Sequence, residues 1–127
     1  MQHGKFGTAI NCMDGRVQEP TIKWLKQKYD FDYIDTITEP GPDKMLSQGR
    51  PEQVESIKSR VFISVNKHGS DTIFMAAHYD CAGDPVSKEE HLKQLRECLK
   101  IIRSWNLPVK NIIGAWIDES WTVEVIE

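Results

Sequence analysis

Two short runs carry the residues whose types and spacing could do chemistry: Cys12-Met13-Asp14-Gly15-Arg16 and His78-Tyr79-Asp80-Cys81. Each run follows a stretch with the character of a β-strand, so a parallel sheet would bring Cys12, His78 and Cys81 together at the ends of two strands. Structural zinc sites usually close with four protein ligands, whereas catalytic sites use three and leave one position for water. The pattern therefore predicts a catalytic zinc site with a carboxylate and an arginine beside it.

The remaining histidines and the third cysteine have simpler interpretations. Cys98 falls on the apolar stripe of a predicted helix, where a buried cysteine packs as a small hydrophobe. His3 lies near the terminus, and His68 lies at a helix end where a positive charge favours the helix dipole. His91 follows the second run by ten residues. We expect all three histidines to be structural or solvated, with a proton relay at the mouth of the site as the alternative for His91.

Composition bounds the class of protein. The chain has 127 residues, so residues 1–127 are predicted to form one domain with one core. The hydrophobic fraction of 39% and the net charge of −3 are typical of a soluble globular protein. The sequence has no cluster of lysine or arginine residues of the kind that predicts nucleic-acid binding, and no apolar run is long enough to span a membrane. We expect a cytoplasmic protein with reduced cysteines.

Strand-like and helix-like segments alternate along the chain, which predicts the α/β class. The predicted strands cover residues 7–12, 31–38, 72–77, 111–117 and 121–126. The predicted helices cover residues 17–28, 51–68 and 88–105, and Pro40-Gly41-Pro42 is predicted to be a rigid turn or the wall of a pocket. Ser87 and Glu90 have the spacing of a capping box at the start of the last helix.

Right-handed crossovers make strands one and three neighbours if strand two lies on the far side of strand one. The prediction is a three-layer fold with flanking helices and a mainly parallel sheet of order 2-1-3-4, with a fifth strand at the edge. Open α/β sheets bind ligands where the carboxyl ends of strands meet at such a switch point. The topology therefore places Cys12 beside His78 and Cys81.

The ordered pair of motifs, C-x-D-x-R after a first strand and H-x-x-C after a later one, resembles the β-class carbonic anhydrases. The resemblance implies Zn²⁺ held by Cys12, His78 and Cys81, with Asp14 and Arg16 as the carboxylate–guanidinium pair beside the metal. The implied activity is the reversible hydration of carbon dioxide to bicarbonate, with zinc-bound hydroxide attacking carbon dioxide. Family members build their clefts between subunits, so the resemblance also implies a homodimer or higher homo-oligomer.

Asp14 has two possible positions in such a site. It can take the fourth coordination position on the metal, or it can accept a hydrogen bond from metal-bound water. Bidentate pairing with Arg16 would hold the carboxylate off the metal. The two arrangements correspond to an inactive and an active state.

The chain departs from the family pattern in three places. Ala77 and Ala82 replace the glycines that usually flank the second motif, and Gly83 comes one position late. The run Thr38-Glu39-Pro40-Gly41 stands where the family typically has R-N-A-G. Strand one is predicted to begin within about the first half-dozen residues, so we expect the N-terminal helical arm of the family to be missing.

Two alternative functions remain open, and the spacing of the first motif disfavours a third. Enzymes that hydrolyse carbonyl sulfide or carbon disulfide resemble this family and use the same ligands. A zinc-binding domain of the same fold without catalysis is the other alternative. A cysteine-nucleophile phosphatase needs a loop of about five residues between its cysteine and arginine, and three residues separate Cys12 from Arg16.

The homodimer prediction also draws on the edge strand, which carries Trp121 and Ile126.

Overall fold

The computed structural model describes residues 4–127, so His3 lies outside the described residues. Strands and helices alternate, which confirms the α/β class. The strands are β1 (Phe6–Cys12), β2 (Tyr33–Glu39), β3 (Thr72–His78), β4 (Asn111–Ile117) and β5 (Val123–Val125). The helices are α1 (Gln18–Tyr29), α2 (Pro42–Gln48), α3 (Pro51–Lys67) and α4 (Lys88–Ser104), and a 3₁₀ turn at Gly15–Val17 precedes α1. Within this range, no helix is both long and apolar enough to cross a membrane.

The five strands form one sheet of order β2-β1-β3-β4-β5. Neighbouring pairs among β1 to β4 are parallel, and β5 pairs antiparallel with β4 at the edge. This arrangement confirms the predicted strand order and the predicted edge strand. Because β1 and β3 are parallel neighbours, their carboxyl ends lie at the same edge of the sheet. β1 ends at Cys12 and β3 ends at His78, so the topology positions the site.

Helices cover both faces of the sheet, which gives the three predicted layers. Every residue of β3 is buried, as expected for a strand in the interior of a parallel sheet. Residues alternate between two cores because successive side chains of a strand point to opposite faces. The core on one face packs α2, α3 and α4 against the sheet and includes Ile10, Leu46, Ile57, Met75 and Leu99. The core on the other face packs α1 and includes Ala9, Leu25, Phe74 and Ala115.

Local sequence signals set the helix ends near the sheet edge that carries the site. Ser87 is the N-cap of α4, and its hydroxyl accepts a hydrogen bond from the Glu90 N–H at 3.1 Å. Asp14 caps the 3₁₀ turn by accepting from the Arg16 N–H at 2.9 Å. The chain therefore turns sharply after Cys12 and enters α1 with Asp14 and Arg16 on the same turn.

Two elements differ from the sequence-based prediction. Residues 42–48 form α2, a seven-residue helix that is too short to show a clear apolar period, although Pro42 at its start favours a helix. β5 is three residues long, whereas the prediction covered residues 121–126. Asp118 explains the shorter strand, because its carboxylate accepts from the Ser120 and Thr122 N–H groups at 2.9 and 3.0 Å and holds the preceding residues in a turn.

Candidate metal centre

Cys12, His78 and Cys81 form a buried group at the shared carboxyl edge of β1 and β3, which we call the sulfur–imidazole cluster. One ligand atom from each residue lies within 4.8 Å of the others. The two sulfur atoms are 3.9 Å apart, and all three residues are at most 4% exposed. The structure therefore brings together the three residues that the spacing of the motifs predicted as ligands.

The donor set of this cluster fits a zinc ion. Two sulfurs that each lie about 2.3 Å from a tetrahedral zinc are about 3.8 Å apart, close to the separation of Cys12 and Cys81. His78 Nδ1 lies 2.7 Å from the carbonyl oxygen of Tyr79 and donates to it, which leaves a lone pair on Nε2. Nε2 is buried and has no hydrogen-bond partner among residues 4–127. A buried imidazole nitrogen without a partner, beside two thiols, is the arrangement that a metal ligand requires.

Backbone amides surround the two sulfur atoms. The Cys81 thiol, the adjacent His78 ring and the N–H groups of Gly41 and Asp14 lower the pKa of Cys12 to about 4, outweighing burial. The contact with Cys12 raises the pKa of Cys81, and burial raises it further, while the N–H groups of Gly83 and Asp84 oppose the rise. The pair therefore holds one proton between two sulfurs, with amide donors placed to stabilise a thiolate at either position.

The electrostatics of His78 follow from the same neighbours. Burial lowers the pKa of this imidazole, but the nearby Cys12 sulfur and the Tyr79 carbonyl raise it, and the net pKa is raised. A dication in the cluster would reverse this balance, because a metal competes with the proton for the imidazole nitrogen.

Asp14 and Arg16 form a bidentate ion pair next to the cluster. Arg16 Nη2 lies 2.7 Å from Asp14 Oδ2, and Arg16 Nε lies 3.0 Å from Asp14 Oδ1. These hydrogen bonds lower the pKa of Asp14 to about 2 and raise the pKa of Arg16, so both groups stay charged at neutral pH. Both carboxylate oxygens of Asp14 are engaged by Arg16. The geometry matches the arrangement in which arginine holds the carboxylate away from the cluster.

Two contacts of Arg16 were not predicted from the sequence. Its Nη2 donates to the carbonyl oxygen of Asp80 at 3.1 Å, and its guanidinium lies 4.6 Å from the centre of the Trp121 ring. In the sequence, Asp80 stands out only because it lies between two predicted ligands, and Trp121 only because it lies in the predicted edge strand. No local pattern links residues 16 and 121, because their contact depends on β5 folding back beside β4.

A second buried polar group, the carboxylate–imidazole cluster, consists of Asp43, Asp84 and His91. His91 Nδ1 lies 2.6 Å from Asp43 Oδ2 and 3.4 Å from Asp84 Oδ2. The Gln94 amide lies against both carboxylates, and assigning its nitrogen to that side lets it donate to Asp84 and, at 2.9 Å, to Asp43. Burial and the neighbouring Asp43 raise the pKa of Asp84. The sequence analysis did not identify this cluster.

The position of His91 rules out one interpretation made from the sequence. His91 is 1% exposed and packs against Trp116, with ring centres 5.5 Å apart. It therefore does not lie at the mouth of the site, where a proton relay would exchange protons with solvent. His91 has the structural role expected for it, within a buried network.

The loops that carry the two clusters pack directly on each other through glycines. Gly41 has a φ of +68°, and a Cβ added there would lie 2.9 Å from Cβ of Asp84. A Cβ at Gly83 would lie 2.6 Å from the backbone of Pro40. Gly83 therefore serves the close approach of the two loops, which explains a glycine one position later than in the family pattern. Pro40 and Gly41 pack closely against Gly83 and Asp84. This packing is compatible with the predicted rigid turn.

The other polar residues named from the sequence have structural surroundings. Cys98 is fully buried in the core, which agrees with its predicted packing role, and burial raises its pKa. His68 Nδ1 lies 2.7 Å from Asp35 Oδ2, and its ring stacks on Phe6. Glu39 belongs to the run that stands where the family typically has R-N-A-G, and it pairs with Arg60 of α3.

An open groove of about 660 Å³ lies beside Cys81. Apolar side chains on its wall include Val86 and Trp116, and Lys88 and several carboxylates also line it. The groove reaches the sheet edge where β3 and β4 end, so a small molecule could approach the sulfur–imidazole cluster from this side.

Comparisons with known proteins agree with this geometry. A family model described as "Putative carbonic anhydrase" matches residues 2–127. The fold is similar to the crystal structure of the β-carbonic anhydrase CafA of the fungal pathogen Aspergillus fumigatus, with a TM-score of 0.65 and 15% identity. That alignment covers 99% of this chain and 76% of the other. No curated protein matches the sequence. The chain has the β-carbonic anhydrase fold and belongs to the carbonic anhydrase family.

Proposed function

We propose that this protein is a zinc-dependent lyase that reversibly hydrates carbon dioxide to bicarbonate. The observation that carries the proposal is the sulfur–imidazole cluster, whose unpartnered His78 Nε2 and paired thiols lie next to a carboxylate held by an arginine. Membership of a carbonic anhydrase family supports the same activity.

In this proposal, Cys12, His78 and Cys81 bind one zinc ion. The zinc would supply the Lewis acid that makes water a nucleophile near neutral pH. The Tyr79 carbonyl fixes the orientation of the His78 ring, and the Gly41 and Gly83 amides stabilise the two thiolates. The polypeptide thus orders all three donors before a metal binds.

Asp14 and Arg16 act on the reacting water rather than on metal retention in this proposal. Arg16 engages both carboxylate oxygens, so Asp14 stays ionised and directed by the guanidinium. An ionised carboxylate at this position can accept a hydrogen bond from the reacting water and orient its lone pair toward carbon dioxide. Carbon dioxide is small and uncharged, so the carboxylates that line the groove beside Cys81 do not repel it.

We further propose that the protein acts as a homodimer. The support is the exposed apolar surface beside the site, where Met13 is 63% exposed and Tyr79 is 47% exposed. Trp121 and Ile126, which suggested a dimer through the edge strand, pack against the cores of their own chain. Light scattering at micromolar concentration tests this proposal, and a monomer mass would contradict it.

The test of the activity is stopped-flow carbon dioxide hydration on protein of measured zinc content. We expect the wild type to hydrate carbon dioxide, and Asp14→Ala and Arg16→Ala to lose about 10- to 100-fold in rate while keeping their zinc. Cys98→Ala is the matched control, because Cys98 is a buried thiol in the core and should leave both rate and zinc content unchanged.

Four outcomes separate the alternatives. A zinc-loaded wild type that does not accelerate hydration would contradict the proposed function. Sulfide release from carbonyl sulfide by that protein would support the alternative substrate, and silence in both assays would favour a non-catalytic zinc domain. If the wild type is active and both variants match it, the role given to Asp14 and Arg16 is wrong.

A further inference from the structure

Arg16 is held from three directions, and only one of them is the carboxylate of Asp14. The Asp80 carbonyl accepts from Nη2 at 3.1 Å, and the Asp80 carboxylate lies 3.3 Å from Nη1. The Trp121 ring covers the guanidinium at 4.6 Å. The Arg16 side chain is nevertheless 45% exposed, so its pairing with Asp14 competes with water. A ring stacked on the guanidinium restricts its plane and removes water from one face.

The turn before β5 puts the indole in this place. The Asp118 carboxylate accepts from the Ser120 and Thr122 N–H groups, and the Asp118 carbonyl accepts from the Trp121 N–H at 2.9 Å. Asp118 therefore holds residues 118–122 in a turn. Trp121 leaves the turn with a φ of +59°, a left-handed conformation that a bulky residue rarely adopts.

Backbone strain coincides with the contacts of Arg16. Four non-glycine residues in the described part of the chain have a positive φ, and two of them, Asp80 and Trp121, contact Arg16. The other two, Asp30 and Asn106, lie just beyond the ends of α1 and α4, where left-handed residues are common. Strained residues persist where the surrounding structure requires their conformation, and they concentrate at functional sites.

We propose that Trp121 is a positioning residue that holds the Arg16 guanidinium in the plane that pairs with both oxygens of Asp14. The Asp118 turn fixes the indole, the indole fixes the guanidinium, and the guanidinium keeps Asp14 directed away from the sulfur–imidazole cluster. The consequence for turnover rests on the proposed function. The positioning of Arg16 is a property of the polypeptide and is measured without turnover.

The experiment measures hydrogen exchange of the Arg16 Nε–H by NMR of the zinc-loaded protein, with Arg16→Lys used to assign the resonance. In the wild type this proton is bound to Asp14 and covered by the ring, so it should exchange slowly. Trp121→Leu should speed its exchange by about tenfold, because the pair opens more often. Trp121→Phe, which keeps a ring, should restore most of the protection.

A second readout uses the protein loaded with Co²⁺, whose visible spectrum reports the groups around the metal. Trp121→Leu should change the cobalt bands, because the freed Asp14 carboxylate can reach the metal, and adding Asp14→Asn should abolish that change. Trp105→Leu is the matched control, since Trp105 packs on Phe62 near a lysine and does not contact Arg16. It should leave the Nε–H exchange and the cobalt bands unchanged.

Equal exchange of the Arg16 Nε–H in wild type and in Trp121→Leu would overturn the inference. If Trp121→Leu fails to fold, Trp121→Met, which also removes the ring, takes its place: faster Arg16 Nε–H exchange supports the inference, and exchange equal to that of the wild type overturns it. A protein that shows the exchange effect but does not hydrate carbon dioxide would retain the positioning role and lose the proposed function. These two failures are therefore distinguishable.

Discussion

Two buried three-residue clusters lie side by side in this protein, and they differ in the chemistry of their donor atoms. In the carboxylate–imidazole cluster, His91 Nδ1 faces two carboxylates and the Gln94 amide lies against the same oxygens, while His91 Nε2 and Asp84 Oδ1 have no partner among the described residues. In the sulfur–imidazole cluster, a backbone carbonyl takes His78 Nδ1, and the side chains leave Nε2 without a partner among the described residues. Each cluster therefore has an imidazole nitrogen without a partner, and they differ in the other donors: carboxylate oxygens surround His91, whereas two sulfurs lie beside His78, a donor set that suits zinc.

The difference teaches which buried polar groups a sequence motif can reveal. Ligands for a metal need soft donors at a strand edge and a short spacing, so they appear as C-x-D-x-R and H-x-x-C. A buried hydrogen bond between a carboxylate and an imidazole needs only that the two groups meet, and Asp43 and His91 come from different helices without any local signature. The two clusters nevertheless share loops, because Asp84 follows Cys81 by three residues and its N–H donates to the Cys81 carbonyl oxygen.

The largest expected effect separates the clusters by metal content. We expect about one zinc ion per wild-type chain, and Cys81→Ala should lose nearly all of it because two protein ligands rarely hold zinc. The melting temperature of Cys81→Ala should fall as well, since the metal ties β1 to β3. Elemental analysis and thermal melting measure both effects. Full zinc occupancy in Cys81→Ala would show that the sulfur–imidazole cluster is not the metal site.

The second-largest expected effect is a loss of stability when the carboxylate–imidazole cluster is broken. His91→Ala leaves two carboxylates, each 1% exposed, without the imidazole N–H that faces them, and should lower the free energy of unfolding by about 1–3 kcal/mol. Zinc content should stay near that of the wild type. Urea denaturation with Glu89→Ala as the exposed control on the same helix measures the difference. Loss of zinc in a folded His91→Ala protein would break the distinction between the two clusters.

A pH effect should follow from the shared proton of the two thiols. The contact with Cys12 raises the pKa of Cys81, so metal binding near neutral pH must release a proton from that thiol. Zinc affinity should therefore weaken as the pH falls and strengthen as it rises. Calorimetric titrations with zinc in buffers of different ionisation enthalpy count the protons released. Zinc binding with no proton release between pH 6 and about 8 would contradict this assignment of the proton.

A smaller effect tests the contact between the loops that carry both clusters. Gly83→Ala places a methyl group against the backbone of Pro40 and should lower the free energy of unfolding by about 1–3 kcal/mol. Gly15→Ala is the control, because a Cβ there meets nothing within 4 Å, and it should change stability by less than about 0.5 kcal/mol. Equal stability of the two variants, measured in urea, would mean that the loops separate easily.

The fold and the meeting of Cys12, His78 and Cys81 could be predicted from the sequence because local patterns encode them. The apolar run of β3 and the spacing of the two motifs, together with right-handed crossover, predict which strands become neighbours. The Trp121 contact and the carboxylate–imidazole cluster were not readable, since they join residues from distant elements whose side-chain directions depend on packing. The length of β5 was overestimated for a related reason: alternation in residues 121–126 suggested a strand, while Asp118 holds its first residues in a turn.

The separation of the ligands along the chain has a consequence for biogenesis. Cys12 and Cys81 are 69 residues apart, and their sulfurs meet only when β1 and β3 lie side by side. During synthesis, β1 leaves the ribosome long before its partner strand exists, so the first cysteine must wait as an unpaired thiol. Closing such a distant contact is entropically costly and slow compared with forming local helices. Under the proposed function, uptake of zinc by all three residues is therefore a late event in folding, and the rate of zinc incorporation would report completion of the central sheet.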